Sequence, residues 1–415
     1  MPTAISLFSG AMGLDLGLER AGITTKLAVE IDRHCCRTIG QNRPTVDVWE
    51  TDIRQVNAKS LLKKVRNPTD VFLMVGGPPC QSFCPGGKRA ALSDPRGNLI
   101  YVYLRLIQDV QPRFFVLENV ANLVTAALRH RPISERPGKH WNLSVYDRKN
   151  GEPGDGVAPM EPDELSGTAI RQVVEDVRRM GYGITLSVVD AADFGAPQHR
   201  LRFLMFGARD SSAPTIVSPT HGENSSSRER LQTVRDAIYD LTYNPGPHSE
   251  YTDKVAKYFA MIPPGGNWRD LPKTIQREAL GDASFEAGGG KTGFFRRLSW
   301  DRPSPTITGR ANRKGSALCH PDAIRPLSVR ECARLQGFPD DWQFTGAMNR
   351  QYMQVGNAVP VHLGIAIGRT LLEKGSSEPS NREDDLDLAL EKAIARLRAS
   401  ARNKRGKKIQ QPSLF

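Results

Sequence analysis

The 415-residue chain has no run of 18 successive apolar residues, and no basic segment leading into a long apolar core near its start. The sequence therefore gives no support to a membrane span or a secretory signal. No internal repeat is found. Its six cysteines (Cys35, Cys36, Cys80, Cys84, Cys319 and Cys332) fit no zinc ribbon or finger, since Cys80 and Cys84 have no matching second pair. These absences lead to the expectation of a soluble cytoplasmic protein that keeps its thiols reduced and holds no metal.

What is abundant is positive charge. Lys and Arg number 57 against 45 Asp and Glu, a net charge of +12 that favours a polyanionic partner, nucleic acid first. The length suffices for two domains, or for one large domain carrying an inserted module.

Short apolar runs alternate with helical stretches. Ala4 to Phe8, Lys26 to Glu30, Val71 to Val75, Phe114 to Leu117, Ile184 to Val189 and Phe203 to Phe206 read as strands. Helical patterns such as Leu99 to Gln108 and Thr168 to Met180 fall between them, which predicts an α/β fold with a parallel sheet covered on both faces. The rhythm breaks at a Pro/Gly-rich insertion near 129–164, and again from 208 to 323, where Ser225-Ser226-Ser227, Pro263-Pro264-Gly265-Gly266 and Gly288-Gly289-Gly290 occur. The expected organisation is a first catalytic part over 1–207, a smaller irregular domain over 208–323, a return to the first fold over 324–375 and a charged tail over 376–415. In that tail Leu386, Leu390, Ile394 and Leu397 share one face of a candidate helix.

The residue types suggest chemistry at the strand ends. Gly76-Gly77-Pro78-Pro79-Cys80-Gln81-Ser82 follows an apolar strand, and two prolines cannot continue into a sheet or an ordinary helix. Cys80 therefore reads as a nucleophile at a carboxyl edge rather than as a buried small hydrophobe. Ser9-Gly10-Ala11-Met12-Gly13 turns from the first strand into a helix, and Glu30 ends the second strand, where a ribose diol is usually gripped. Gly10, Gly13 and Gly17 do not match a G-x-G-x-x-G register, so a plain tight turn remains the alternative for the glycines. Glu118 ends its strand, either as a working carboxylate or as a helix cap. Arg200 and Arg202 alternate at a strand start, so both are expected on one side, unless they are ordinary strand-edge charges.

In their order, Phe8-Ser9-Gly10, Pro78-Pro79-Cys80-Gln81, Glu118-Asn119-Val120, Gln198-His199-Arg200-Leu201-Arg202, Arg330 to Pro339 and Gln354 to Pro360 resemble the motifs of DNA (cytosine-5) methyltransferases of the bacterial restriction-modification type. The resemblance spans most of residues 4 to 370 and implies a Rossmann-like S-adenosylmethionine-dependent fold. It implies a cofactor held by Phe8, Ser9, Gly10, Ala11, Gly13 and Leu14, with Glu30 and Ile31 at the ribose end and Asp52 and Ile53 at the adenine. Pro79, Leu99, Asn357, Ala358 and Val359 complete that set. The family usually has a glycine where this chain has Met12, a departure expected to narrow the turn, and often has serine where it has Cys84.

By the same resemblance Cys80 adds to carbon 6 of a flipped cytosine, Glu118 holds ring nitrogen 3 and the exocyclic amine, and Arg202, supported by Arg200, meets the base carbonyl. Gln81, Ser82, Lys88 and Arg89 belong to a loop expected to close over double-stranded DNA. The irregular domain resembles a target-recognition region, with Arg296, Arg297, Arg310, Asn312 and Arg313 as base or backbone contacts and Thr306 as its anchor. Gln411 to Phe415 resembles a peptide that docks on a sliding clamp, a plain tail being the alternative. The protein is expected to act as a monomer. Methylation of exocyclic amines, RNA methylation and a silent DNA-binding regulator are the competing readings; Cys80 speaks against the first, a missing Cys-Phe-Thr signature against the second, and intact Cys80 and Glu118 against the third.

Overall fold

The computed structural model describes residues 1–65, 70–79, 99–129, 161–209, 212–223, 225, 227, 229–282, 285, 294–312, 318–373 and 383–406, with the side chains of 383–386 and 401–406 left aside. Its βα alternation runs through β1 (Thr3–Leu7), α1 (Gly13–Ala21), β2 (Thr24–Glu30), α2 (Arg33–Asn42), β3 (Asp47–Glu50), α3 (Ala58–Val65), β4 (Leu73–Gly76), α4 (Leu99–Val110), β5 (Phe114–Val120), α5 (Thr168–Arg179), β6 (Gly183–Asp190) and β7 (Leu201–Ala208). After three short helices come β8 (Arg296–Arg297), β9 (Leu318–Cys319), α6 (Val329–Gln336), α7 (Met348–Asn357), α8 (Val361–Leu372) and α9 (Glu383–Gly406).

Tertiary contacts separate two units, one of Met1–Ile53, Asp190–Arg200 and Ile216–Glu373, the other of Arg54–Val189, Leu201–Thr215 and Lys374–Phe415. They cut across the division expected at 207, 323 and 375.

In the first unit β1 pairs in parallel with β2, and β2 with β3. Ala4, Ile5, Leu7, Leu27, Ala28 and Val29 are buried, the near-continuous apolar run of strands covered on both faces. Helices α1 and α8 cross where Gly17 meets Gly364, and a Cβ on Gly17 would stand 2.5 Å from the Gly364 Cα. Asp15 in α1 is fully buried and accepts hydrogen bonds from Ser6 Oγ at 3.0 Å and Thr25 Oγ1 at 2.8 Å, tying the helix to both strands. The stretch Met348–Leu372 has the length and hydropathy of a membrane span, but it is split into α7 and α8 before Pro360, and Tyr352, Val355, Val361, Leu363 and Ile367 lie in the core.

The irregular segment contributes to two cores, one shared with the sheet and one of its own. Val234, Ile238, Leu298, Trp300 and Ile307 share a core cluster with Leu16, Ala28 and Ile39. Tyr258, Phe259, Ile262, Trp268, Leu271, Leu280 and Phe295 form a second, smaller core with Cys319.

In the second unit the strand order is β4-β5-β7-β6. Strands β4 and β5 are parallel, as expected, but β7 runs antiparallel to β5. This corrects the expectation of an all-parallel sheet, and the reason is length: residues 191–200 between β6 and β7 are too few for the helical crossover that a parallel connection requires. Tyr103, fully buried in α4, donates from its hydroxyl toward Met74 O at 3.2 Å and Val116 O at 2.9 Å, tying the helix to β4 and β5. The tail helix is present as α9, with Leu390 and Ala393 buried.

Candidate active site

Strand β4 ends at Gly76, and the chain leaves it through Gly77, Pro78 and an exposed Pro79. The next strand grips that exit. Asn119 Nδ2 donates to Pro78 O at 3.0 Å, and Asn119 Oδ1 accepts from the Val120 amide at 2.9 Å. A Cβ on Gly77 would meet Glu118 Oε2 at 2.8 Å, so only glycine lets the backbone pass this carboxylate.

Glu118 is 6 % exposed, inside β5 rather than at its end. Arg202 Nε on β7 lies 2.6 Å from Glu118 Oε1, in a buried ion pair whose angle departs from a linear hydrogen bond. Removing a carboxylate from water without a cation costs several kcal/mol, so the arginine keeps Glu118 viable in this setting. Cys80, Gln81, Ser82, Cys84, Lys88 and Arg89 lie outside the described residues, as do Arg313 and the peptide Gln411 to Phe415.

Arg200 does not share the strand face expected for it. It precedes β7 and is buried, donating from Nη1 to Ile307 O at 2.6 Å and from Nη2 to Gly356 O at 3.0 Å. Its backbone amide donates to Asp190 Oδ1 at 2.7 Å, while Asp190 Oδ2 stands 2.9 Å from His199 Nδ1. Burial acts to raise the Asp190 carboxyl, but these donors outweigh it and leave its pKa lowered.

Two buried glutamines, which sequence reasoning missed, extend this brace. Gln198 Nε2 donates to Leu335 O at 2.9 Å and Gln336 Oε1 at 2.6 Å, and its Oε1 accepts from the Ile307 amide at 3.3 Å. Gln336 Nε2 donates in turn to Val355 O at 2.6 Å and Ala358 O at 3.2 Å. Both sit inside motif runs quoted for their charged neighbours; the available signal, at Gln336 alone, was an uncharged amide between Leu335 and Gly337.

The cofactor-site expectations meet in the first unit. Phe8, Gly10 and Met12 all have positive φ, at 58°, 54° and 64°. Met12 thus keeps the left-handed conformation that a glycine adopts without cost, and its side chain is 1 % exposed in the cluster with Phe338, Trp342 and Ala358. The methionine points into the core rather than narrowing the turn. Ser9 Oγ donates to Ser6 O at 3.1 Å, and buried Ala11 and Leu14 pack behind.

Three backbone amides hold the Glu30 carboxylate: Gly10 to Oε2 at 2.8 Å, and Ile31 and Asp32 to Oε1 at 2.8 and 2.9 Å. A carboxylate offers about four acceptor positions, so this one is oriented with capacity left for a diol. Ile31 beside it is 64 % exposed, an apolar surface without cover, whereas Ile53 is buried and Asp52 half-buried. Gly13 faces the Val359 carbonyl so closely that a Cβ would collide with it, and exposed Asn357 stands against Gly309. Residues 8–13 and 357–359 therefore come together across nearly the whole chain length. Pro79 and Leu99 belong to the second unit.

The proposed DNA readers divide. Thr306 Oγ1 donates to His199 O at 2.7 Å, an anchor to backbone. Arg297 is committed to three carbonyls, those of Pro321 at 2.9 Å, Ile262 at 2.9 Å and Asp322 at 3.2 Å, which makes it a brace rather than a reader. Asn312 Nδ2 donates to Ser249 Oγ and Asn349 Oδ1 at 2.9 and 3.0 Å, so its amide is likewise engaged. Arg310 is exposed; Arg296 is half-buried, its Nε shut from solvent without an acceptor.

Comparison with known proteins supplies the frame. The family model of the C-5 cytosine-specific DNA methylase matches residues 3–132 and 163–373. The type II methyltransferase M.Eco47II of Escherichia coli is 37% identical over 376 residues, covering 89% of this chain and 78% of that protein. M.PspPI of Psychrobacter sp. (strain TA137) is 36% identical over 383 residues, with 91% and 80% covered. Among solved structures, one described as a DNA modification methyltransferase encoded within an E. coli prophage shares the fold, with a TM-score of 0.58 at 23% identity over 90% of this chain and 99% of that one.

Proposed function

The chain belongs to the C-5 cytosine-specific DNA methylases, and from that premise we propose how its own residues methylate carbon 5 of cytosine in a specific duplex sequence. The observation that carries the reading is the grip of Glu118 and Asn119 on Gly77-Pro78, the backbone that leads into Cys80. Regulatory DNA binding without catalysis and RNA methylation are not favoured beside relatives that are type II methyltransferases.

S-adenosylmethionine supplies the electrophilic methyl group. The oriented Glu30 carboxylate, the exposed Ile31 side chain and the Phe8 to Gly13 turn suit its ribose and adenine. Cytosine carbon 5 is a poor nucleophile until the ring becomes enamine-like. Thiolate addition of Cys80 at carbon 6 achieves this, while Glu118 donates toward ring nitrogen 3 as charge develops there. Once carbon 5 is methylated, its proton passes to solvent water, the electron pair of that C–H bond re-forms the 5,6 double bond and expels the Cys80 thiolate, and ring nitrogen 3 returns its proton to Glu118. Arg202 positions Glu118 through the 2.6 Å pair, and Arg200 acts through the backbone of Ile307 and Gly356.

The target base lies inside a duplex stack, so it must be swung out, at a cost of a few kcal/mol. Lys88 and Arg89 suit phosphate contacts made as the loop closes. The type II relatives support a role as the modification half of a restriction-modification pair, acting on cytoplasmic DNA. Gln411 to Phe415 would dock on a sliding clamp; a pull-down that is unaffected by deleting these five residues would remove that role. Bisulfite sequencing of a plasmid from cells expressing the chain tests the whole reading: protected cytosines confined to one recurring sequence are expected, and uniformly converted cytosines would overturn it.

A further inference from the structure

The net charge of +12 is not spread evenly. From Lys392 onward the sequence holds eight Lys and Arg and no acid, two thirds of the whole excess, although it is a small part of the length. Just before it, α9 begins with Glu383, Asp384, Asp385, Asp387 and Glu391, so one helix is acidic at its start and basic at its end.

The docked residues lie in the first half of the helix. Leu390 and Ala393 are buried, Asp387 is ion-paired with Arg171 of α5, and the helix packs on the 3₁₀ segment Ala121–Thr125. That turn follows Val120 directly, two residues after Glu118. The helix is thus fastened immediately behind the catalytic strand. Past the anchor the helix is basic, with Arg396 and Arg398 exposed, while Arg398, Arg402 and Arg405 recur at i, i+4 and i+7, the spacing of one helix face.

We propose that the carboxyl-terminal half of α9 is an arm that binds the phosphate backbone of DNA flanking the methylated site. From Lys392 to Gly406 the helix rises roughly 21 Å, a length along which duplex DNA presents about a dozen phosphate charges. Such an arm adds affinity without sequence choice and leaves base reading to the irregular segment. The inference does not depend on the Cys80 chemistry.

The test compares the full chain with the triple variant Arg398→Gln, Arg402→Gln, Arg405→Gln, since glutamine retains helix propensity. Binding to a random-sequence duplex of about 40 bp is followed by fluorescence anisotropy between about 50 and 200 mM salt. The slope of log Kd against log salt should fall by about 2 to 3 in magnitude, while kcat on saturating plasmid stays unchanged. An unchanged slope overturns the proposal, as does an unchanged slope accompanied by lost binding to anionic vesicles, which would make the arm a membrane contact. A variant that loses kcat together with slope also overturns it, because the arm would then be part of the catalytic fold. Anisotropy reads binding alone, so a failure of the methylation reading would remain distinguishable.

Discussion

Arg202 and Glu118 face each other on antiparallel strands, Nε to Oε1 at 2.6 Å, with both side chains nearly sealed from solvent. Removing the cation leaves a buried carboxylate alone, which costs about 3 to 5 kcal/mol. Arg202→Ala should therefore lower the urea midpoint and slow methylation, and Arg202→Lys, which restores a cation, should recover part of both. A midpoint unchanged in Arg202→Ala would show that the pair is not what keeps Glu118 in the interior.

Glu118→Gln keeps the shape and removes the charge. Its methylation rate at saturating DNA should fall by about 10² to 10⁴, the usual contribution of general acid help, with a smaller change in DNA affinity. Equal losses in rate and affinity, measured by single turnover and anisotropy, would reduce Glu118 to a structural residue.

Gly77→Ala should be disproportionately harmful for one added methyl group. Its Cβ would lie 2.8 Å from Glu118 Oε2, and a carboxylate locked by Arg202 cannot easily yield. Displacement of a catalytic group by about 1 Å costs on the order of 10²-fold in rate. Equilibrium dialysis should show a much smaller loss of cofactor affinity than of rate; equal losses would contradict this.

Asp15 gives the fold a pH dependence of predictable sign. Burial raises its pKa from 3.8 to about 6, although Thr25 and Ser6 hydroxyls partly counter it. The folded state then holds its proton more tightly than the unfolded one, so stability is fully present below pH 3.8 and is lost as pH rises through 6. The loss amounts to about 3 kcal/mol. Asp15→Asn should remove it, narrowing the difference in urea midpoint between pH 5 and pH 8; the same difference in both proteins would contradict this.

Much of the fold was legible because buried strands declare themselves as apolar runs. β1, β2, β4, β6 and β7 fall within two residues of their predicted bounds, and β5 starts where expected. β3 was not, since Asp47, Val48, Trp49 and Glu50 include no buried residue and no apolar run. The reversed direction of β7 escaped because periodicity reports which face is covered and says nothing of the strand's direction. Residue type pointed to Glu118, Glu30 and Thr306, each of which the structure holds by specific polar contacts, but a guanidinium's destination is decided by tertiary packing. Arg297 accordingly read as a DNA contact and Arg200 as a support for Arg202, and both are spent on carbonyls. Met12 is the converse case: an apparent defect in a glycine motif whose backbone is left-handed, as a glycine's would be, while its side chain serves the core.

The central claim is that the sulfur of Cys80 bonds transiently to carbon 6 of the extruded base. It is tested most directly by incubating the protein and S-adenosylmethionine with duplex DNA carrying 5-fluorocytosine at the methylated position, followed by denaturing electrophoresis. Fluorine cannot leave as the carbon 5 proton does, so the intact protein should remain attached to the DNA, and Cys80→Ser should release it completely. Undiminished attachment in the serine variant, or none with a wild-type protein that methylates ordinary DNA, would contradict the account.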